Sequence, residues 1–503
     1  MRKLLLPIIV FALILSSCQD DLTNLDEDPK GTSEAPGEQL FTNAQVELGQ
    51  YLYSINVNTN IFNLMSQYWA QNTYPDESQY DLTGRTIPSN VWTIHYRDIL
   101  NDLKEAEAQI KADEFMEEDE RTVKIAIMEI VRVMAYYNLV TTFGDIPYSE
   151  ALDGDNPSPA YDSQQTVYAD LFERLDTAIS DLNANPGATS FTSSEDVFYS
   201  GDIDSWITFA HSLRMRLAIT VADNPPADID PQAIIEDADP NAFQSNADNA
   251  VMQFHLGQTQ NPLWEDLVQS GRNDFAPSNT MIDLMKNYDD PRMALHFTEN
   301  PDGGYSGAQY GYQNTPNAYS QIGDVIRIED FEGIILGYDE IEFIRAEANA
   351  RGWLDGTTAQ AQQHYNNAIR ADMEYWDNAR TRYEVSSGSG ISDSEITDYY
   401  TNQAPYPVTG SQQDQLKAIA EQKWFGLYLQ GLQGWIDWRR FDHPTFNVAA
   451  TISEEDDIPV RFTYPIDEQN LNQSNWEEAA SAIGGDETGT HLFWDIADAS
   501  SVN

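Results

Sequence analysis

From Ile125 to Leu139 the chain repeats apolar residues at three- and four-residue steps. Ile125, Met128, Ala135, Tyr136 and Leu139 mark one side of a helix, with Arg132 in the same row. Ile127, Ile130, Val131, Met134 and Tyr137 make the opposite side apolar too. A helix apolar nearly all round must be buried among several neighbours. The pattern stops at Gly144-Asp145-Ile146-Pro147-Tyr148. Glycine accepts the left-handed conformation that ends a helix, and proline cannot continue one. The spacing thus predicts a central helix over 121–142, closed by a rigid polar loop, with other helices packed around it.

Further periodic stretches predict helices over 42–54, 89–111, 163–182, 205–223, 231–237, 278–288, 338–352, 357–376 and 412–432. Strand signals are few and short, at 325–328 and 461–464. Three of the helices share a finer pattern: an apolar residue, a large apolar residue four on, then alanine three further. It occurs as Ile99/Leu103/Ala106, Leu171/Leu175/Ala178 and Ala361/Tyr365/Ala368. The last copy matches the second helix of a tetratricopeptide repeat. Alanine lets a neighbouring helix approach, and the larger residue fills the groove. The expected fold class is mainly α: a tetratricopeptide-like helix-pair scaffold with an irregular, loop-rich second half and few short strands.

Proline and glycine break up two long stretches, 67–92 and 255–317. Aromatic and polar residues gather there, and long loops on a rigid scaffold are where binding usually resides.

The chain opens with Arg2-Lys3, an apolar run over 4–15 interrupted only by Pro7, and Leu15-Ser16-Ser17-Cys18. A membrane-spanning helix needs roughly 20 apolar residues, so the run reads as a secretory signal. The small residues before Cys18 match a bacterial lipobox, cut before a cysteine that is then acylated. The bland alternative is an ordinary cleavage site with an incidental cysteine. Cys18 is the only cysteine, so no disulfide forms within the chain and no other thiol serves catalysis or metal binding. The expected organisation is a signal peptide over 1–17, a flexible tether over 18–37 and a single helical domain over 38–503. Acyl chains on Cys18 would hold it to a membrane.

Asp and Glu number 82 against 27 Lys and Arg, a formal charge of −55. It becomes two units more negative once Arg2 and Lys3 leave with the signal. Such a field repels nucleic acid and anionic lipid, and argues against strongly anionic polysaccharides. With 41% hydrophobic residues the chain can still build a large core, which excludes a disordered acidic polymer.

Four passages together resemble the SusD/RagB family of nutrient-binding outer-membrane lipoproteins of Bacteroidetes. They are Thr142-Phe143-Gly144-Asp145-Ile146-Pro147-Tyr148, the helix from Tyr338 to Ala348 with its Ala346-Glu347-Ala348, the stretch from Gln430 to Arg440, and Pro459-Val460-Arg461-Phe462-Thr463-Tyr464-Pro465 followed by Glu468. Asp20-Asp21 behind Cys18 resembles the family's surface-export signal. One departure is Gln433-Gly434, where the family often has Glu-Ala. The resemblance implies four tetratricopeptide-like helix pairs, no catalysis, and a place on the outer face of the outer membrane. It implies capture of oligosaccharides, or peptides in the RagB branch, for a TonB-dependent transporter of the SusC type. The binding loops vary within the family, so the motifs themselves read as structural.

A neutral sugar presents weakly polar faces and many hydroxyls, which aromatic rings and Asn, Asp or Arg side chains satisfy. The first stretch supplies Trp69, Asn72, Tyr74, Asp76, Tyr80, Arg85 and Trp92. The second supplies Trp264, Arg272, Asn273, Tyr305, Tyr310 and Tyr312. Against this, Trp69 and Trp92 flank helices and can simply pack, while Tyr74, Tyr305, Tyr310 and Tyr312 sit on loops and favour exposure. Trp424, Trp435 and Trp438 belong to a core or interface. The seven histidines form no metal motif, and no phosphate-binding or nucleophile-elbow motif is present. Asp153-Gly154-Asp155-Asn156 lacks EF-hand spacing, which leaves structural calcium open and no other cofactor expected. The expected function is a non-catalytic surface lipoprotein that binds a neutral polysaccharide or oligosaccharide, with a β-glucan such as laminarin as the guess. The rivals are a peptide-binding uptake protein and an all-helical glycoside hydrolase.

Overall fold

A computed structural model describes residues 35–452 and 458–496. Cys18, the signal segment and nearly all of the tether lie outside the described residues. The helices of eight or more residues are α1 (Gly37–Tyr53), α2 (Asn101–Ala112), α3 (Glu118–Phe143), α4 (Gln164–Ala184), α5 (Ile203–Thr220), α6 (Pro231–Ala238), α7 (Asn279–Asn287), α8 (Tyr338–Ala350), α9 (Thr358–Arg382), α10 (Gln412–Gly426), α11 (Gly431–Phe441) and α12 (Gln473–Ala482). Four helix pairs pack closely: α1 with α2, α3 with α4, α5 with α6, and α8 with α9. The three repeat-like patterns lie on these helices or the turn leading into them, and all nine of their residues are buried. Six strands, each of two to four residues, form three antiparallel pairs: β1 (Trp69–Gln71) with β5 (Phe275–Pro277), β2 (Ile146–Pro147) with β3 (Tyr161–Asp162), and β4 (Ala250–Met252) with β6 (Gly333–Leu336).

The central helix is α3, and from Ile130 to Phe143 every one of its residues is buried. Its last turn leaves backbone carbonyls without intrahelical partners, and the C-terminal motifs supply the donors. Arg439 Nη1 donates to Thr141 O at 2.8 Å, the Phe462 N–H to Thr142 O at 2.9 Å, and Arg461 Nη2 to Phe143 O at 2.9 Å. Gly144 follows with φ +93°, and Tyr464 Oη donates to Asp145 O at 2.8 Å. Three of the four passages that resemble the family, 142–148, 430–440 and 459–465, thus meet in one hydrogen-bonded joint. Arg439 is 1% exposed, with its guanidinium 3.6 Å from the Trp435 ring centre and 4.6 Å from that of Trp494. Burial lowers its pKa to about 9.

The charged residues of α8 and α11 face inward. Arg216 Nε donates to Glu340 at 2.9 Å, Arg440 Nη2 to Glu347 at 2.6 Å, and Arg440 Nη1 to Asp437 at 2.8 Å. Lys423, fully buried, sits 2.8 Å from Asp437. These side chains pair in the interior and are not available to a ligand.

Two strand expectations fail. Residues 325–328 start in a 3-10 turn (Asp324–Arg327), whose buried Val325 and Ile326 imitate a strand's apolar run. Residues 461–464 form no strand, with the Arg461 N–H reaching Thr488 O and the Phe462 N–H reaching Thr142 O. The helix expected over 412–432 is two, α10 and α11, because Leu429 adopts φ +73° and turns the chain. Trp424, Trp435 and Trp438 are core residues, at most 4% exposed.

The Gln433-Gly434 departure has a physical partner. A Cβ at Gly434 would stand 2.4 Å from Tyr68 Oη. Tyr68 cannot yield, being fully buried and donating to Trp424 O at 2.8 Å. Alanine normally stabilises a helix interior relative to glycine by roughly 0.5–1 kcal/mol. Here overpacking reverses the sign: Gly434→Ala is expected to destabilise the protein by about 1–3 kcal/mol in urea unfolding. An unchanged or raised midpoint would contradict this contact.

Candidate ligand platform

The strand pair β1–β5 joins the two long stretches. Trp69, Ala70 and Gln71 register with Pro277, Ala276 and Phe275. The Asn72 N–H donates to Asp274 O at 2.7 Å, and Asn72 O accepts from the Asn314 N–H at 2.9 Å. Asn314 Nδ2 donates to the carbonyls of Gln71 and Tyr312, at 3.0 and 2.8 Å. Gln79 Nε2 donates to Gly311 O at 2.9 Å, which ties the first stretch to the turn beside Tyr312. Beneath lies a small apolar cluster of Ala70, Ala276, Ala308, Tyr310 and Ala449.

Buried, hydrogen-bonded polar side chains stiffen this floor. Gln67, fully buried with φ +52°, donates to Asn447 O at 2.8 Å and accepts from the Thr280 hydroxyl at 2.6 Å. Gln71 donates to Glu77 at 2.6 Å and accepts from the Ser78 N–H at 2.9 Å. Glu77 is buried and also accepts from Arg85 Nε. A buried network with its partners in place specifies one arrangement of the loops.

Two rings stand on this floor in solvent: Tyr74 is 63% exposed and Tyr312 39%. Asp76 and Arg85 are exposed and Tyr80 is half-buried. Arg272 is exposed and paired with Asp274, and Asn273 donates to Asn317 Oδ1 at 2.6 Å. Tyr74, Asp76, Tyr80, Arg85, Arg272, Asn273 and Tyr312 therefore belong to one joined loop cluster. Tyr305 is half-buried and faces a separate cavity.

Five expectations are corrected. Trp69 is fully buried in β1 and donates to the Tyr428 hydroxyl at 2.9 Å. Tyr310 is fully buried and donates to Leu64 O at 2.7 Å. Asn72 is buried, with its amide turned to Asn273 O at 3.2 Å. All three build the floor and present nothing to a ligand. Trp92 is half-buried and packs on Tyr96 and Phe143, with ring centres 4.9 and 5.0 Å away, so it belongs to the joint at the end of α3. Trp264 lies on a one-turn helix packed against α1, outside the hydrogen-bonded floor. The sequence reading passed over Gln79 and Asn317, which no pattern marks because their value comes from contacts across the two stretches. Among the described residues no group of three or more His, Cys, Asp or Glu is arranged to hold a metal ion, and no helix is long and apolar enough to cross a membrane.

No curated protein matches the chain. Solved structures do. A chitin-binding protein superposes with a TM-score of 0.77 at 24% identity, covering 92% of this chain and 100% of its own. A chitin-binding SusD homologue from Flavobacterium johnsoniae gives 0.74 at 24%, covering 92% and 98%. A SusD homologue from Bacteroides uniformis ATCC 8492 gives 0.74 at 26%, covering 91% and 99%. The sequence model of the SusD-like family matches residues 29–465. The chain therefore belongs to the SusD-like family, described as starch-binding and associating with the outer membrane.

Proposed function

We propose that this protein is a cell-surface glycan-binding lipoprotein that captures a neutral polysaccharide or oligosaccharide and passes it, uncleaved, to a TonB-dependent transporter of the SusC type. The observation that carries this reading is the pair of solvent-facing rings, Tyr74 and Tyr312, on a floor locked by buried hydrogen bonds. Flat rings cover the C–H face of a pyranose, and the neighbouring Asp76, Arg85 and Asn273 offer partners for hydroxyls. The family's starch-binding description and the chitin-binding relatives support a carbohydrate ligand. The large negative charge disfavours a polyanion. Within the neutral glycans, a β-glucan such as laminarin is our first choice.

Native affinity electrophoresis against laminarin, soluble starch and glycol chitin tests this. Retardation by at least one neutral glycan, with no reducing ends released on long incubation, is the expected result. Migration unchanged by all of them, with peptides bound instead, would reject it. Attachment through Cys18 has its own test: Cys18→Ser should abolish incorporation of labelled palmitate and release the protein from the membrane fraction.

A further inference from the structure

A second concavity lies away from the Tyr74–Tyr312 floor. It has a volume of about 420 Å³ and is formed by the segment 294–305, the turn at 323–325 and the loop 385–389 that follows α9. That is within the range of roughly 300–1,000 Å³ that holds small ligands. The loop closes tightly on this segment: Gly388 has φ +74°, and a Cβ there would stand 2.3 Å from Ala294 O.

The lining is divided by chemistry. Leu295 and Phe297, at most 3% exposed, form an apolar base, and the half-buried Tyr305 ring forms a wall. The exposed Glu299, Asp324 and Ser389 stand around it, and among the described residues their side chains make no hydrogen bond or ion pair. The cavity thus offers one aromatic face together with hydrogen-bonding oxygens that no protein group has claimed. An apolar ligand would displace water from those oxygens and return no hydrogen bond, and an anion would meet two carboxylates. A neutral pyranose satisfies both halves, with a C–H face for the ring and hydroxyl donors for the carboxylates.

We propose that this cavity is a second carbohydrate subsite, which takes one neutral pyranose unit, at a chain end or side branch, of the glycan bound by the protein. The proposal rests on the glycan-binding reading above. Its test is isothermal titration of the full chain with laminarihexaose, maltohexaose, chitohexaose and the glucosamine hexamer. The variants are Tyr305→Ala, which removes the wall, and Ser389→Trp, which fills the cavity from an exposed position. Both are expected to weaken binding of the neutral hexaose held by the wild type about tenfold, with an unchanged melting temperature. Wild-type affinity retained in both variants would overturn the subsite and leave the glycan-binding reading standing. A wild type that binds no neutral hexaose would sink both. Binding of the glucosamine hexamer alone would overturn the neutral assignment.

Discussion

Replacing Arg292 by methionine is expected to cost about 3–5 kcal/mol of stability, the usual penalty for removing one partner of a buried ion pair. Arg292 is fully buried. Its Nε donates to Asp290 at 2.9 Å, Nη1 to Asp372 at 2.6 Å, and Nη2 to the Tyr399 hydroxyl at 3.1 Å and to Gln422 at 3.2 Å. Methionine matches the volume of the stem and leaves two carboxylates in the core unpaired.

The penalty should depend on pH. Burial raises the Asp372 pKa from 3.8 to about 6, against the opposing pull of Arg292. Burial, then Asp372, raises Asp339 as well. A carboxyl raised in the folded state holds its proton more tightly there than in the unfolded chain. The stability it contributes is fully present below its ordinary value of 3.8 and is lost as pH rises through about 6. Without Arg292 the Asp372 pKa climbs further, so the deficit widens above pH 6. Urea unfolding of wild type and Arg292→Met should show a larger gap at pH 8 than at pH 5. A gap below about 1 kcal/mol, or one that narrows with pH, would refute the account of this cluster.

The second large effect is functional. The double variant Tyr74→Ala/Tyr312→Ala is expected to weaken glycan binding by about 30- to 150-fold, on the basis of roughly 1–1.5 kcal/mol for each stacked ring. Because both rings are exposed, the unfolding free energy should move by no more than about 0.5 kcal/mol. Tyr310→Phe is the control. Its hydroxyl donates to a backbone carbonyl beneath the floor, so its loss should cost about 1 kcal/mol of stability and leave affinity unchanged. Affinity in the double variant equal to wild type would show that the ligand does not use these rings.

The control concerns a tyrosine that points inward and the variant two that point outward, and there sequence reasoning divides. The helices were legible because burial imposes a period of 3.6 on apolar residues over many turns. The helix expected over 121–142 spans Glu118–Phe143, and all three repeat-like patterns lie at buried helix contacts. The loops carry no period. Tyr74, Tyr310 and Tyr312 look alike in the chain, all flanked by glycine, proline or polar residues. Tyr310 is turned inward, packed with Ala70 and Ala276 of β1 and β5 and bonded to Leu64 O. Short strands escaped for the same reason: β1 pairs with residues more than 200 positions away, and three residues show no alternation to read.

The sequence by itself determined the helix-pair scaffold and the family. Each rests on patterns long enough, or motifs numerous enough, to survive local accident. Tertiary structure alone decided which aromatics are buried and which face solvent, that the end of α3 meets the C-terminal motifs, that Gly434 makes way for Tyr68, and that the charges of α8 and α11 pair inside. Those outcomes depend on close approach between segments far apart in the chain. Atoms a few ångströms apart across a fold leave no mark on residue order.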